Sequence, residues 1–418
     1  MRHLYTADVV ITDADDPSIE AGGVIVDGSA IAWVGPLDAL PTDSFDCRTD
    51  LPGSTLMPGL IDSHVHLGFD GGPNPVARMM SESDAEQTVL MLQSARQLLS
   101  VGVTTARDLG ARGYLDVVVR DAIRNGDARG PRLLVAGAPL TPTGGHCWFM
   151  GAEVDGTYDI RKAVRRHHKH QVDHIKVMST GGFMTPGSAP WYAQFSLEEM
   201  RLIVDEAHRV GKRVAAHAHG TEGIERALEA GVDTLEHCSF SSADGTRAFD
   251  EKLAARIAAS SAFVSPTINL RAPELQDMMG QDAFSERITG LYEAGCKIIA
   301  STDSGIDNTP HHGYVRGLLA MEQFGLPRDE VIRSATSQAA DALGIGGVTG
   351  RIREGLAADF IAVRGNPRND LAVLNDVALI IANGEEFVPD ALPEIGETGF
   401  TEPPSFLTTK AEELLERG

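Results

Sequence analysis

Three His-x-His pairs stand in this 418-residue sequence: His64/His66, His168/His170 and His217/His219. The first closes an apolar run, Gly59-Leu60-Ile61-Asp62-Ser63-His64-Val65-His66. In a β-strand, residues i and i+2 face the same side, so both imidazoles of such a pair point one way. Imidazole is the usual nitrogen ligand of zinc-like ions. The pair by itself fits two buried core histidines as well. The third pair ends another apolar run, Val214-Ala215-Ala216-His217-Ala218-His219. The second lies in Arg165-Arg166-His167-His168-Lys169-His170, a basic helical stretch that reads as a solvated face.

Lysine is scarce, with seven residues in all, and one of them sits in an apolar run: His174-Ile175-Lys176-Val177. A buried, unpaired ammonium is costly. Such a lysine loses its proton readily, is chemically changed, or pairs with a carboxylate. Carboxylation by CO2 would turn Lys176 into an anionic, two-oxygen ligand able to bridge two cations. Two further runs end in ligand-type residues, Leu235-Glu236-His237 and Ala300-Ser301-Thr302-Asp303. Each alone reads equally as a core residue or a helix cap.

Something must hold these groups together. Eight short apolar runs recur at 60–67, 104–110, 131–137, 174–180, 213–219, 234–240, 262–268 and 297–303. Amphipathic, helix-length stretches separate them, several ending in Gly, a common helix stop. The pattern predicts an α/β protein with a (β/α)8 TIM barrel over 58–346. Barrel enzymes place their chemistry at the C-terminal ends of the strands. His64, His66, Lys176, His217, His237 and Asp303 fall at the ends of runs 1, 4, 5, 6 and 8, so one mouth collects all six. Both chain ends are rich in Val and Ile, with Asp27-Gly28 marking a hairpin. They are expected to share a small composite β-sandwich domain built from 1–57 and 347–387. Residues 388–418 form a Pro-rich tail closing in a weakly helical LTTKAEELLERG. A peripheral helix, an oligomer contact and a mobile end are equally open for it.

Composition narrows the partners. The formal charge is −23, from 36 basic and 59 acidic residues. That surface repels phosphate backbones and anionic lipid, so no nucleic-acid or membrane partner is expected. The four cysteines, Cys47, Cys147, Cys238 and Cys296, form no CxxC pair, which fits a reducing compartment. No signal-peptide pattern or membrane-length apolar stretch occurs, and a cytoplasmic location is expected.

With these residues in view, the chain resembles the amidohydrolase superfamily of metal-dependent hydrolases. Residues Pro58-Gly59-Leu60-Ile61-Asp62-Ser63-His64-Val65-His66 match its first-strand signature. Within it, the chain is most similar to the imidazolonepropionase-like group, which includes prolidase-type dipeptidases, arginine-type carboxypeptidases and ochratoxin-type amidases. The similarity rests on Gly102-Val103-Thr104-Thr105 with Arg107-Asp108, Thr143-Gly144-Gly145-His146, Ile175-Lys176 with Gly181-Gly182, His217-Ala218-His219-Gly220, Glu236-His237, Thr302-Asp303, and Gly355-Leu356-Ala357-Ala358-Asp359. It covers about residues 5–386. The resemblance implies two divalent ions, usually zinc: His64, His66 and Asp303 on the buried one, His217 and His237 on the outer one, carboxylated Lys176 between them. His219 is the alternative to His217, or a substrate contact. A homo-oligomer is also implied.

The expected reaction is hydrolysis of a small-molecule amide. Two cations lower the pKa of a bridging water, and the hydroxide attacks the carbonyl carbon. Asp303 serves as general base and then general acid. His146, after the third run, donates to the carbonyl oxygen, binds substrate, or is a loop histidine without function. Specificity belongs to the loops after the strands, where Cys147, Trp148 and Phe149, then Phe183, Met184, Trp191 and Tyr192, would make an aromatic-lined cleft suited to an apolar acyl or side-chain group. Trp148, Tyr192, Arg271 and His219 are the expected substrate contacts, Arg271 for a carboxylate, with an exposed loop arginine as its alternative. The leading substrate class is a dipeptide or N-acyl amino acid. A cyclic amide of the imidazolonepropionase kind, and a xenobiotic or secondary-metabolite amide or carbamate, are the alternatives. A non-catalytic homologue is the reading that the complete ligand set opposes.

Overall fold

A computed structural model describes residues 1–42, 44–243, 248–279 and 283–395. The expected LTTKAEELLERG helix lies outside the described residues.

All eight apolar runs form strands, all parallel to their paired neighbours. Leu60–Val65, Val103–Asp108 and Arg132–Val135 make a three-stranded sheet. His174–Met178, Arg213–Gly220, Thr234–Ser241, Phe263–Ser265 and Lys297–Ile298 make a five-stranded one. Backbone hydrogen bonds cross both seams. Leu140 N donates to Lys176 O (2.8 Å) at one, and Asp303 N to His64 O (2.8 Å) at the other. Helices separate the strands, so the architecture is TIM-barrel-like. Leu60–Val65 and His174–Met178 are buried along their whole length, as expected of strands covered on both faces.

Local chemistry sets the element ends. Ser83 caps the helix Asp84–Ser100 and Ser196 caps Leu197–Arg209, each with a glutamate three residues on that closes a capping box. Gly59 allows the first barrel strand to enter beside the second: a Cβ there would lie 2.0 Å from Thr104 Oγ1. Gly305, at φ +102°, lets the loop after the eighth strand press on the first, since its Cβ would meet His66 O at 2.3 Å.

Strands from the two chain ends share one seven-stranded sheet, in the order Glu385–Glu386, Val377–Ala382, Phe360–Arg364, Cys47–Pro58, Arg2–Val10, Ile19–Asp27, Ala30–Pro36. The expected hairpin is present. Its two-residue turn is Gly28-Ser29, with Gly28 at φ +61°. Tyr5, Val24, Leu56, Phe360 and Ile381 belong to a core separate from the barrel's. Beyond the last strand, Asp390 pairs with Arg96 and Pro393 O accepts from His312 Nε2 at 3.1 Å, so this stretch lies back against the barrel. No described helix is long and apolar enough to cross a membrane.

Candidate metal centre

A cavity of about 360 Å³ opens at the C-terminal ends of the strands, within the size range of small-molecule sites. His64, His66, Lys176, His217, His237 and Asp303 all line it, with His146 and His219. The ends that carry these groups leave regular strand geometry. His237, Cys238, Thr267 and Asp303 all have φ between 47° and 68°. Non-glycine residues adopt that conformation at a cost, and such strain gathers at functional sites.

The nitrogen and oxygen donors form two groups, each spanning no more than 4.8 Å: His64, His66 and Asp303, and His217, His219 and His237. In the first, Asp303 Oδ1 lies 3.3 Å from His64 Nε2 and 3.1 Å from His66 Nε2. In the second, the His219 and His237 rings stack at 4.3 Å. The amine of Lys176 is buried and has no hydrogen-bond partner among the described residues. Burial pushes it down from 10.5 to about 8, against the pull of Glu236 and Asp303. Burial also raises the Asp303 carboxyl, but His64, His66 and Lys176 outweigh it and hold it below the ordinary carboxylate range.

Beneath the site lies a buried ion pair to which sequence reasoning assigned no role. Glu236 Oε2 accepts from His64 Nδ1 (2.9 Å), and Glu236 Oε1 accepts from Arg107 (2.9 Å). Arg107 also donates to Ser63 O at 2.7 Å. Because Nδ1 keeps its proton and donates it in this hydrogen bond, His64 holds its Nε2 lone pair for the cavity. Both residues were visible only as motif letters, since strand spacing does not tell which side chain meets which. Removing one partner of a buried pair costs about 3–5 kcal/mol. Glu236→Gln is therefore expected to lower unfolding stability by several kcal/mol on that scale. Denaturant unfolding of the variant checks this, and a change within the noise would show that Arg107 does not need its counter-charge.

The structure sorts the other expected contacts. Arg271 is buried on the cavity wall and pairs with Glu274 at 2.9 Å, so it is not an exposed loop arginine. His146 faces the same space, its ring 4.7 Å from His217. Trp148 and Tyr192 are not on the wall and are 42% and 63% exposed. Left-handed Cys147 gives its own side chain to the cavity and leaves Trp148 on the outside of a short turn of helix. Phe183 and Met184, from the loop expected to supply an apolar cleft, do line the cavity, and Phe69, Leu275 and Phe284 join them. Arg287, also on the wall, has no signal in the sequence; it sits in an ordinary helix, Ala283–Glu293. His168 and His170 are exposed, as a solvated face requires.

A TIM-barrel-like fold with a histidine-rich cavity at its strand ends has the architecture of a barrel hydrolase. The model of the Amidohydrolase family matches residues 55–387, and the chain belongs to that family. It is similar to the ochratoxinase of Aspergillus niger, 29% identical over 399 residues that cover 88% of this chain and 82% of that protein. It is also similar to the imidazolonepropionase of Paracoccus denitrificans (strain Pd 1222), at 25% identity over 86% and 92% of the two chains. Among solved structures, a Xaa-Pro dipeptidase with methionine bound in its active site superposes with a TM-score of 0.82, at 29% identity, covering 93% of this chain and 100% of that one. The protein is a hydrolase acting on carbon–nitrogen bonds.

Proposed function

We propose that this chain cleaves the amide bond of dipeptides or N-acyl amino acids at a two-metal centre, probed best as zinc. One juxtaposition carries the reading: a buried amine with no hydrogen-bond partner among the described residues shares a cavity with two groups of metal-type donors and a buried arginine. The donor set fits two divalent ions. His64, His66 and Asp303 would hold one, His217 and His237 the other, and carboxylated Lys176 both. When bound, such ions supply an activated water and polarise the amide oxygen. Asp303 takes the water's proton at its carboxylate and passes it to the leaving nitrogen. His146 and His219 face the amide from the wall, and Arg271 receives the free carboxylate. Residues 1–57 with 347–387 are read as a composite β-sandwich domain beside the 58–346 barrel. A homo-oligomer in the cytoplasm completes the reading.

The apolar wall favours a second reading, an amide with an aromatic acyl or side-chain group, in line with the ochratoxinase similarity. A metal-replete hydrolysis screen followed by mass spectrometry tests both. Dipeptides, acyl amino acids and aromatic amides are set against cyclic ureas and imides. Turnover confined to the cyclic compounds overturns both.

Arg271→Ala separates the carboxylate contact from the chemistry. A hydrogen bond to a charged group contributes about 1.5–3 kcal/mol, so KM should rise roughly 10- to 100-fold. The same amide with its carboxyl group blocked should show no such rise. Equal losses on both substrates would remove Arg271 from the role.

A further inference from the structure

We propose that Arg287 and Ser239 dictate which ring nitrogen of His219 carries the proton, making His219 a hydrogen-bond donor to the amide oxygen and leaving His217 as the metal ligand of that strand. The proposal rests on the two-metal hydrolase reading and settles a choice that its donor geometry leaves open, because the donor atoms of all three imidazoles of the second group lie within 4.8 Å of one another.

The end of the sixth strand is bent, with His237, Cys238 and Phe240 at φ 68°, 47° and 51°. Arg287 fastens this bend. Its NH1 donates to His237 O (3.0 Å) and to Ser239 Oγ (3.2 Å), its NH2 to Pro266 O (3.3 Å), and the guanidinium lies 5.2 Å from the Phe284 ring centre. Ser239 Oγ also meets His219 Nδ1 at 2.9 Å. Arginine has donors only, so Oγ accepts from it. We assign the hydroxyl proton to His219 Nδ1, the acceptor in contact with it among the described residues. Nδ1 of a neutral ring that accepts this bond is unprotonated, so the ring proton sits on Nε2. A protonated Nε2 is a donor and cannot ligate, while Nδ1 is already engaged.

His217 has the complementary arrangement. Its Nε2 lies 2.9 Å from Gly181 O, a carbonyl that can only accept. The proton is therefore on Nε2, and the Nδ1 lone pair is free for an ion. Adjacent inward positions of one strand thus receive opposite roles from their neighbours. Arg287 and Ser239 are positioning residues, acting on substrate through His219.

The test uses the full chain loaded with cobalt for stoichiometry and absorption, and ring-15N-histidine protein loaded with zinc for nitrogen spectra. His219→Ala should keep the wild-type metal content and cobalt spectrum but lose about 10²- to 10³-fold in kcat, the loss typical of one oxyanion donor. His217→Ala should lose one cobalt. Ser239→Ala should keep both ions and shift the His219 ring signals away from the Nε2–H form. Ser239→Thr, which retains the hydroxyl, should restore them. Loss of cobalt in His219→Ala, or His219 signals that ignore Ser239→Ala, would overturn the proposal while the hydrolase reading stands. A wild-type chain that takes up no cobalt and cleaves no amide would overturn both.

Discussion

Asp303→Asn should lose nearly all turnover while keeping its fold. The asparagine side chain has the same shape, but it cannot accept a proton and carries no charge for an ion. General acid–base catalysis alone contributes about 10²- to 10⁴-fold, so kcat should fall by at least about 10³-fold once the lost ligand is included. Metal affinity should fall too, because the Asp303 carboxylate faces both His64 Nε2 and His66 Nε2. Circular dichroism and unfolding midpoints report the fold, and steady-state kinetics at saturating metal report the chemistry. A correctly folded Asp303→Asn protein turning over at the wild-type rate would refute the assignment.

Replacing Lys176 should have an effect of similar size on metal content. Lys176→Ala is expected to drop from about two ions per chain to one or fewer by elemental analysis, because ligand geometry and metal affinity are coupled. Unchanged stoichiometry would argue against a bridging role. Lys176→Met adds a stability test with the opposite sign. With metal stripped by chelator, the uncarboxylated amine is expected to stay buried, and among the described residues it has no hydrogen-bond partner. An apolar side chain of similar volume is expected to leave that protein as stable or more stable. The gain should depend on pH in a defined direction. Burial depresses the folded-state value from 10.5 to about 8. Below pH 8 the folded wild type carries the full cost of a buried ammonium, and the cost fades as pH rises to 10.5. The advantage of methionine should therefore be greatest below pH 8 and shrink above it. Urea unfolding of both apoproteins across this range measures it, and a pH-independent difference would contradict the burial of a charged amine.

The TIM-barrel-like fold was readable because its signals are local. Each buried strand appears as a short apolar run, each helix as a periodic stretch between, and each run's end marks a mouth position. His64 with His66, and His217 with His219, shared a direction by the two-residue period of a strand alone. The hairpin at Gly28 and the pairing of the two chain ends followed from turn chemistry and from Val- and Ile-rich runs. The loops were read less well. Trp148 and Tyr192 are aromatic and close in sequence to the site, yet neither lines the cavity, because loop conformation is set by packing and not by period. Arg271 stood one step from an exposed arginine in the sequence and is buried against the cavity in the fold.

Which residue types reach the barrel's mouth is written along the chain, since strand alternation and run ends are properties of neighbours in sequence. How those residues are protonated and what each may bind depends on partners 36 to 172 positions away: Gly181 on His217, Glu236 on His64. Hydrogen-bond donors and acceptors act only within about 3 Å. Contacts of that range between distant segments come into being when the chain closes on itself, and only the folded molecule reveals them.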